Sequence, residues 1–224
     1  MRTFGNRCNA AILLLTLALG ISVGAAAAEP LRLVALGDSL TQGYGLPAED
    51  GFVPQLETWL QAQGMDVAVI NAGVSGDTTA GGLARMDWTL AEPVDAMLVT
   101  LGGNDLLRGM NPAASHENLD RILARLEQEG IPAMLAGLPA PGNYGPEFQR
   151  AFERMYIDLA AKYDVALYPN FMQPLTDKAD AGTSFVDLMQ DDHIHPNAEG
   201  VALIVQGIGP EILAFLEMLA DGGS

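Results

Sequence analysis

Five short runs of apolar residues constrain the fold of this chain more than any other feature of its sequence. They cover residues 31–36, 67–70, 96–101, 132–138 and 165–167, and each ends at or shortly before a glycine or a proline. Short, continuous apolar runs of this kind are typical of strands that are buried on both faces. The sequence therefore predicts five interior strands.

Helical patterns fill the intervals between these runs. Apolar residues recur every three or four positions over residues 52–60, 119–126, 152–163 and 201–219, and Pro210 predicts a kink in the last segment. Strands that alternate with helices predict an α/β fold, in which a parallel sheet carries helices on both faces through right-handed crossovers. One domain over residues 29–224 accounts for the whole pattern.

The first 28 residues have the organisation of a secretory signal peptide. Arg2 and Arg7 precede an apolar run over residues 10–23, and small residues follow up to Ala28. We expect cleavage after Ala28 and export, with the periplasm as the preferred compartment and secretion as the second. Cleavage removes Cys8, the single cysteine, so core packing rather than a disulfide must stabilise the exported domain.

The charge of the chain limits its partners. The formal net charge is −17, and the acidic residues are scattered rather than clustered. Such a surface repels nucleic acids and anionic membranes. We expect a small-molecule substrate, no nucleic acid partner, no stable membrane anchor after cleavage, and a monomer.

Ser39 is the candidate nucleophile. In a parallel α/β sheet, ligands bind beyond the carboxyl ends of the strands, and Ser39 follows the first predicted strand directly, in ALGDSLTQGYG. A serine at this turn is also a common helix N-cap, and the G-x-S-x-G motif of ordinary α/β-hydrolases is absent. A nucleophilic role requires a base that takes the hydroxyl proton.

The segment DDHIHPN contains the candidate base. Asp192 and His195 stand three residues apart, so in a turn the carboxylate can orient one imidazole nitrogen and leave the other for the serine. Pro196 suits a first helical position, and His193 points away if the segment is extended. The remaining histidine, His116, lies in a polar stretch that is typical of a solvated or capping residue.

Two other roles for DDHIHPN stay open at this level. Asp191, Asp192, His193 and His195 include a His-x-His spacing that occurs in metal sites, although no further histidine or cysteine lies nearby. We therefore expect no metal. A purely structural histidine pair remains an alternative.

Acyl transfer also needs hydrogen-bond donors for the oxyanion. Gly73 follows the second predicted strand and offers a backbone N–H, and Asn104 follows the third and offers a side-chain amide. Each residue taken alone fits an ordinary turn. Their joint placement after strands that should neighbour the first favours an oxyanion hole.

Together these segments resemble the SGNH hydrolases, which are also called GDSL esterases. The four blocks of that family occur in order: GDSLTQGYG with Ser39, NAGVSGDTT with Gly73, LGGNDLLRG with Asn104, and DDHIHPN with Asp192 and His195. The similarity is greatest to periplasmic arylesterases of the acyl-CoA thioesterase I/lysophospholipase L1 group. It spans almost all of residues 29–224.

The resemblance implies a three-layer α/β/α flavodoxin-like fold with a five-stranded parallel sheet and no metal or cofactor. It implies Ser39 as nucleophile, His195 as base and Asp192 as the partner of the base. The oxyanion hole would consist of the Ser39 and Gly73 N–H groups and the Asn104 amide.

The resemblance also suggests where the acyl chain binds. Residues 105–112 correspond to a mobile loop beside the acyl-binding groove of the family, so the implied substrate contacts are Leu106, Leu107, Met110 and Leu138. One departure is His193, because related proteins often carry glycine at this position.

These observations predict an exported serine esterase that acts through an acyl-serine intermediate. Expected substrates are aryl esters and short to medium acyl esters, with thioesters and lysophospholipids as further candidates. The alternatives are a carbohydrate O-deacetylase of the same fold and a catalytically silent ester- or lipid-binding module.

Overall fold

The computed structural model describes residues 29–222. The predicted signal peptide, residues 1–28, lies outside this part of the chain. The strands are β1 (Leu31–Gly37), β2 (Val67–Gly73), β3 (Ala96–Thr100), β4 (Ala133–Ala136) and β5 (Ala166–Tyr168). The helices are α1 (Ser39–Gln42), α2 (Phe52–Ala62), α3 (Thr79–Ala84), α4 (Met86–Thr89), α5 (Gly103–Leu107), α6 (Pro112–Glu129), α7 (Pro146–Tyr163), α8 (Gln173–Asp180) and α9 (Ala198–Gly222). Short 3₁₀ helices cover Ala48–Asp50, Gly142–Tyr144 and Phe185–Leu188.

The five strands form one parallel sheet in the order β2-β1-β3-β4-β5. This is the flavodoxin-like order, in which the chain reverses direction across the sheet between β1 and β3. The predicted fold class is therefore confirmed. Strand β2 extends three residues beyond its apolar run, because Asn71, Ala72 and Gly73 continue the register opposite the end of β1.

Helices cover both faces of the sheet. Along β1, Leu33 and Ala35 point into a core shared with α2, α8 and α9, whereas Val34 and Leu36 point into a core shared with α6 and α7. Because successive side chains of a strand point to opposite faces, a strand between two helical layers has to be apolar throughout. This explains why the strands appear in the sequence as continuous apolar runs.

Among the described helices, α9 is long and apolar enough to cross a membrane by length and composition alone. Its residues Val201, Ile204, Ile208 and Ile212 are buried in the core layer that contains α2. The core therefore accounts for its apolar stripe. Pro210 lies inside this helix.

Helix α1 packs against the carboxyl ends of β1 and its two neighbours, β2 and β3. A Cβ atom on Gly37 would overlap the hydroxyl groups of Thr41 and Thr100, which are hydrogen-bonded to each other. A Cβ atom on Gly73 would overlap the backbone of Gln42 and lie 2.9 Å from the carbonyl oxygen of Asp38. Because these two glycines have no side chains, α1 can pack directly against the strand ends. Ser39, the first residue of α1, therefore lies at the carboxyl edge of the sheet.

Candidate active site

Ser39 is the first residue of α1 and is almost completely buried. The cap of this helix is Asp38, whose Oδ1 accepts a hydrogen bond of 3.0 Å from the N–H of Leu40. Asp38 therefore stabilises the turn between β1 and α1. The Ser39 hydroxyl is not used as a cap and is directed towards His195.

His195 lies on the return arm of a small hairpin that precedes α9. Met189 and Pro196 form an antiparallel bridge, and the N–H of Gln190 donates to the carbonyl oxygen of His195 at 2.8 Å. The prediction that Pro196 begins a helix is wrong, because this bridge holds Pro196 in extended structure. Helix α9 begins at Ala198, where Asn197 Oδ1 accepts a hydrogen bond from the N–H of Gly200.

Hydrogen bonds connect Ser39, His195 and Asp192 in a row. The His195 Nε2 atom lies 2.8 Å from Ser39 Oγ, and His195 Nδ1 lies 2.6 Å from Asp192 Oδ2. The other carboxylate oxygen of Asp192 accepts bonds from the N–H groups of Ile194 (2.9 Å) and His195 (3.0 Å). The structure thus brings together the three residues predicted as nucleophile, base and partner of the base.

The environment of Asp192 keeps its carboxyl group ionised. The backbone N–H of His195, the ring of His195 and the N–H of Ile194 hold the pKa of this carboxyl far below its ordinary value of 3.8. An ionised Asp192 accepts the Nδ1–H of the imidazole, which leaves Nε2 free to accept the Ser39 hydroxyl proton. The arrangement has the donor and acceptor pattern of a catalytic triad.

The other two histidines do not join this row. His116 is half-buried within α6, and His193 is exposed. Among residues 29–222, no group of three or more histidine, cysteine, aspartate or glutamate side chains is arranged to hold a metal ion. The metal alternative for DDHIHPN therefore lacks a set of ligands in the described part of the chain.

His193 adopts a backbone conformation that favours glycine. Its φ angle is 57°, and its N–H donates to the carbonyl oxygen of Gln190 at 2.9 Å within the hairpin turn. The segment is therefore a turn rather than the extended strand that the sequence analysis considered. Glycine would adopt this backbone conformation without the steric cost that a Cβ atom imposes.

Two of the three predicted oxyanion donors are available at the site. The N–H of Ser39 forms no hydrogen bond with the other described residues. The amide nitrogen of Asn104 lies 3.4 Å from Asp38 Oδ2 and borders the same pocket as Ser39. By contrast, the N–H of Gly73 donates to Asn71 Oδ1 at 2.9 Å, so a donor role for Gly73 would require this bond to break.

Gly76 has features of an oxyanion donor that the sequence analysis overlooked. It lies in the turn after β2 with a φ angle of 83°, and its N–H makes no hydrogen bond within the described residues. Its carbonyl oxygen accepts a bond of 2.9 Å from Arg108, which directly follows α5, the helix that carries Asn104. The block NAGVSGDTT contains both glycines, and only the structure shows which N–H is already used.

Asp38 is the second carboxyl group beside the nucleophile. Burial raises its pKa from 3.8 to about 6, although the N–H of Leu40, the amide of Asn104 and the charge of His195 each lower it. Desolvation penalises the charged form of a carboxyl group, and here it outweighs the hydrogen bonds. Asp38 therefore changes its protonation state in mildly acidic solution.

An open apolar pocket of about 200 Å³ adjoins Ser39 and His195. Of the predicted substrate contacts, Leu106, Leu107 and Leu138 line it and Met110 does not. Further apolar lining comes from Leu40, Pro139, Met172 and Ile194. Ile194 precedes the predicted base and Met172 follows β5. Both positions lie at the carboxyl edge of the sheet, and this placement could have indicated from sequence that the two residues line the pocket.

A model of the GDSL-like lipase/acylhydrolase family matches residues 35–203, which include Ser39, Asn104, Asp192 and His195. The chain belongs to this family.

The predicted similarity to GDSL enzymes is thereby confirmed, and individual relatives extend it. The chain is 39% identical to "Esterase TesA" of Pseudomonas aeruginosa over 89% of its own length and 96% of that protein. It is 35% identical to "Thioesterase 1/protease 1/lysophospholipase L1" of Escherichia coli over 84% of its length and 85% of that protein. The crystal structure of AlinE4, described as an SGNH-hydrolase family esterase, is 42% identical, with a TM-score of 0.68 over 84% of this chain and 97% of that one.

The raised pKa of Asp38 predicts how this GDSL protein responds to pH. A folded-state pKa of about 6 against 3.8 favours the folded state fully below pH 3.8, and this contribution is lost as the pH rises through 6. Asp38→Asn preserves a cap oxygen and removes the charge. In urea denaturation, we expect it to raise the free energy of unfolding at pH 8 by about 1–3 kcal/mol and to lose this advantage at pH 4.

Asp66→Asn, at an exposed position, is the matched control and should show no such pH-dependent gain. An Asp38→Asn protein that is less stable than wild type at pH 8 would contradict the assigned cost of the buried charge.

The left-handed backbone at His193 predicts an unusual ranking of substitutions. His193→Gly should be more stable than His193→Ala by about 1 kcal/mol in urea denaturation, because alanine retains the steric cost of a positive φ. At Glu117, an exposed position in the interior of α6, the same pair should rank the other way, with alanine ahead by about 0.5–1 kcal/mol. If glycine and alanine had the same order of stability at both positions, the positive φ angle of His193 would be contradicted.

Proposed function

We propose that this protein is a serine esterase that hydrolyses carboxylic esters through an acyl-Ser39 intermediate. The observation that carries the proposal is the continuous row of hydrogen bonds from Ser39 Oγ through His195 to Asp192. Ser39 and His195 also line an apolar pocket that can take the acyl group. Family membership and the names of the relatives support the same reaction class.

In the first step, Ser39 Oγ bonds to the ester carbonyl carbon while its proton moves to His195 Nε2. The electron pair of the carbonyl double bond moves to oxygen. Asp192 stabilises the imidazolium and keeps its ring oriented. The tetrahedral intermediate then collapses, and the alcohol leaves with the proton that His195 returns to it.

In the second step, water attacks the acyl-Ser39 ester. His195 Nε2 takes a proton from the water as its oxygen bonds to the acyl carbon. Collapse of the second tetrahedral intermediate breaks the bond to Ser39 Oγ, and His195 returns the proton to this oxygen. The products are a carboxylic acid and free Ser39, so the enzyme is regenerated without a cofactor.

For the oxyanion hole, we propose the N–H groups of Ser39 and Gly76 and the side-chain amide of Asn104. The Ser39 and Gly76 N–H groups have no acceptor among the described residues, whereas the Gly73 N–H is taken by Asn71. Loss of a single donor of this kind typically costs about 2.7–4 kcal/mol of transition-state stabilisation.

The pocket supports short to medium acyl chains as substrates. Its volume of about 200 Å³ lies below the roughly 300–1,000 Å³ of typical drug-sized ligand sites. Apart from Asp38, its side-chain lining beyond the reacting groups is apolar, which favours an acyl chain over the sugar that a carbohydrate O-deacetylase must bind. Aryl esters, thioesters and lysophospholipids are the substrate classes to compare.

We further propose that the protein acts outside the cytoplasm, as a monomer, on a small ester or lysolipid. The basic and apolar pattern of residues 1–28 supports export, and removal of that segment would leave residues 29–224 as the working enzyme. The strong negative charge of the chain is consistent with an uncharged or zwitterionic substrate.

Ser39→Ala tests the nucleophile. With p-nitrophenyl butyrate as substrate, we expect kcat to fall by roughly 10⁴-fold or more, because the covalent route is lost. Ser184→Ala, at an exposed serine that lines neither the triad nor the acyl pocket, is the matched control and should retain wild-type kcat. Turnover that survives in Ser39→Ala would overturn the mechanism, and a folded wild type without turnover would favour the silent binding module.

The structure of a phosphonate adduct tests the oxyanion donors. A phosphonate bonded to Ser39 Oγ carries a phosphoryl oxygen in the position of the oxyanion. We expect this oxygen to lie 2.7–3.1 Å from the nitrogens of Ser39, Gly76 and Asn104. An adduct in which the Gly73 nitrogen makes this contact, with its bond to Asn71 broken, would restore Gly73 to the role.

A further inference from the structure

We propose that Gln190 is a positioning residue for catalysis, whose side-chain amide fixes the hairpin of His195 against the segment that follows the nucleophile. The inference rests on the proposed esterase function. It concerns a residue outside the triad, the oxyanion hole and the acyl pocket. Gln190 acts through His195 and touches no reacting atom.

Both N–H groups of one amide are used to join two parts of the chain. Gln190 Nε2 lies 2.8 Å from the carbonyl oxygen of Tyr44 and 2.9 Å from that of Pro196. The backbone N–H of Gln190 donates to the carbonyl oxygen of His195 at 2.8 Å. Gln190 therefore bonds to the carbonyl groups of His195 and Pro196. It also bonds to the carbonyl group of Tyr44, in the segment that follows Ser39.

The Tyr44 end of this bridge is fixed to the nucleophile itself. The N–H of Tyr44 donates to the carbonyl oxygen of Ser39 at 3.1 Å, and the Tyr44 ring lies against His195 with 4.7 Å between ring centroids. Backbone and hydrogen bonds thus form a closed circuit from Ser39 through Tyr44 and Gln190 to His195, which the bond between His195 and Ser39 completes.

Gly45 leaves the space that this bridge requires. Its φ angle is 78°, and a Cβ atom there would overlap Oε1 of Gln190. Any side chain at position 45 would therefore displace the amide. The absence of a side chain at Gly45 is an independent sign that the chain is built around Gln190 in this orientation.

The bridge matters because the reacting pair is 156 residues apart in sequence. Among the described residues, the Gln190–Tyr44 bond is the only hydrogen bond between residues 188–197 and residues 39–46 apart from the Ser39–His195 bond itself. A displacement of about 1 Å between catalytic groups can cost roughly 100-fold in rate. Loss of the bridge should therefore lower kcat with little effect on substrate binding.

Gln190→Met is the direct test, because methionine matches the length of glutamine and has no N–H donors. With p-nitrophenyl butyrate, we expect kcat to fall roughly 10- to 100-fold while KM stays within about threefold of wild type. Gln61→Met is the matched control. It removes an amide-to-carbonyl bond to Val67 at the opposite edge of the sheet and should leave kcat unchanged.

Thermal unfolding separates positioning from general loss of structure. We expect the two methionine variants to have similar Tm values, and only Gln190→Met to lose kcat. If kcat of Gln190→Met stays within threefold of wild type, or falls only near its Tm and recovers on cooling, the positioning role is overturned.

A second pair of variants tests the same contact without changing Gln190. Gly45→Ala and Gly64→Ala place a Cβ at similar positive φ angles, 78° and 92°, but only the first meets another residue. We expect Gly45→Ala to lower kcat about tenfold and Gly64→Ala to leave kcat unchanged. In a Gln190→Ala background, Gly45→Ala should cause no further loss, because the two changes break one contact. Additive losses would overturn the proposal.

The outcomes also separate this inference from the proposed function. Turnover that persists in Ser39→Ala removes the esterase mechanism and the positioning role with it. A dead Ser39→Ala enzyme beside a fully active Gln190→Met enzyme removes the positioning role alone.

Discussion

The close approach of helix α1 to the carboxyl ends of β1 and β2 is the constraint on which the site depends. Gly37 and Gly73 present no side chains to the helix, so α1 packs directly against the strand ends. This packing determines the position of Ser39 relative to the sheet. Arg85 reinforces this edge, since it donates to the carbonyl oxygen of Gly37 at 2.9 Å and pairs with Asp77 in the turn after β2. The nucleophile turn and the neighbouring turn are therefore tied together before any substrate arrives.

Two aspartates near His195 illustrate how environment assigns different roles to identical side chains. Asp192 receives three hydrogen bonds from nearby donors, which lower its pKa and keep it charged as the partner of His195. Asp38 is buried, and desolvation raises its pKa to about 6. Sequence position alone does not distinguish a charged partner from a buried brace, because solvent exposure and donor geometry set the difference.

The sequence was sufficient for the fold class, because strands buried on both faces leave continuous apolar runs. It also predicted the grouping of Ser39 with Asp192 and His195, since the last two are close in sequence. Two details depend on contacts that form only in the folded chain. Asn71 accepts the hydrogen bond of the Gly73 N–H, and the bridge to Met189 delays the start of the helix after Pro196. The position of Met172 after β5 places it at the carboxyl edge of the sheet, but its contact with the pocket depends on how distant loops pack together.

The distance along the chain between nucleophile and base has a consequence for the timing of activity. Ser39 is synthesised near the beginning of the domain, and His195 directly precedes the final helix. During translation, the serine therefore spends most of the elongation time without a base to activate it. The hairpin of His195 can dock only when almost the whole domain has left the ribosome, so a nascent or truncated chain is chemically inert towards the esters around it.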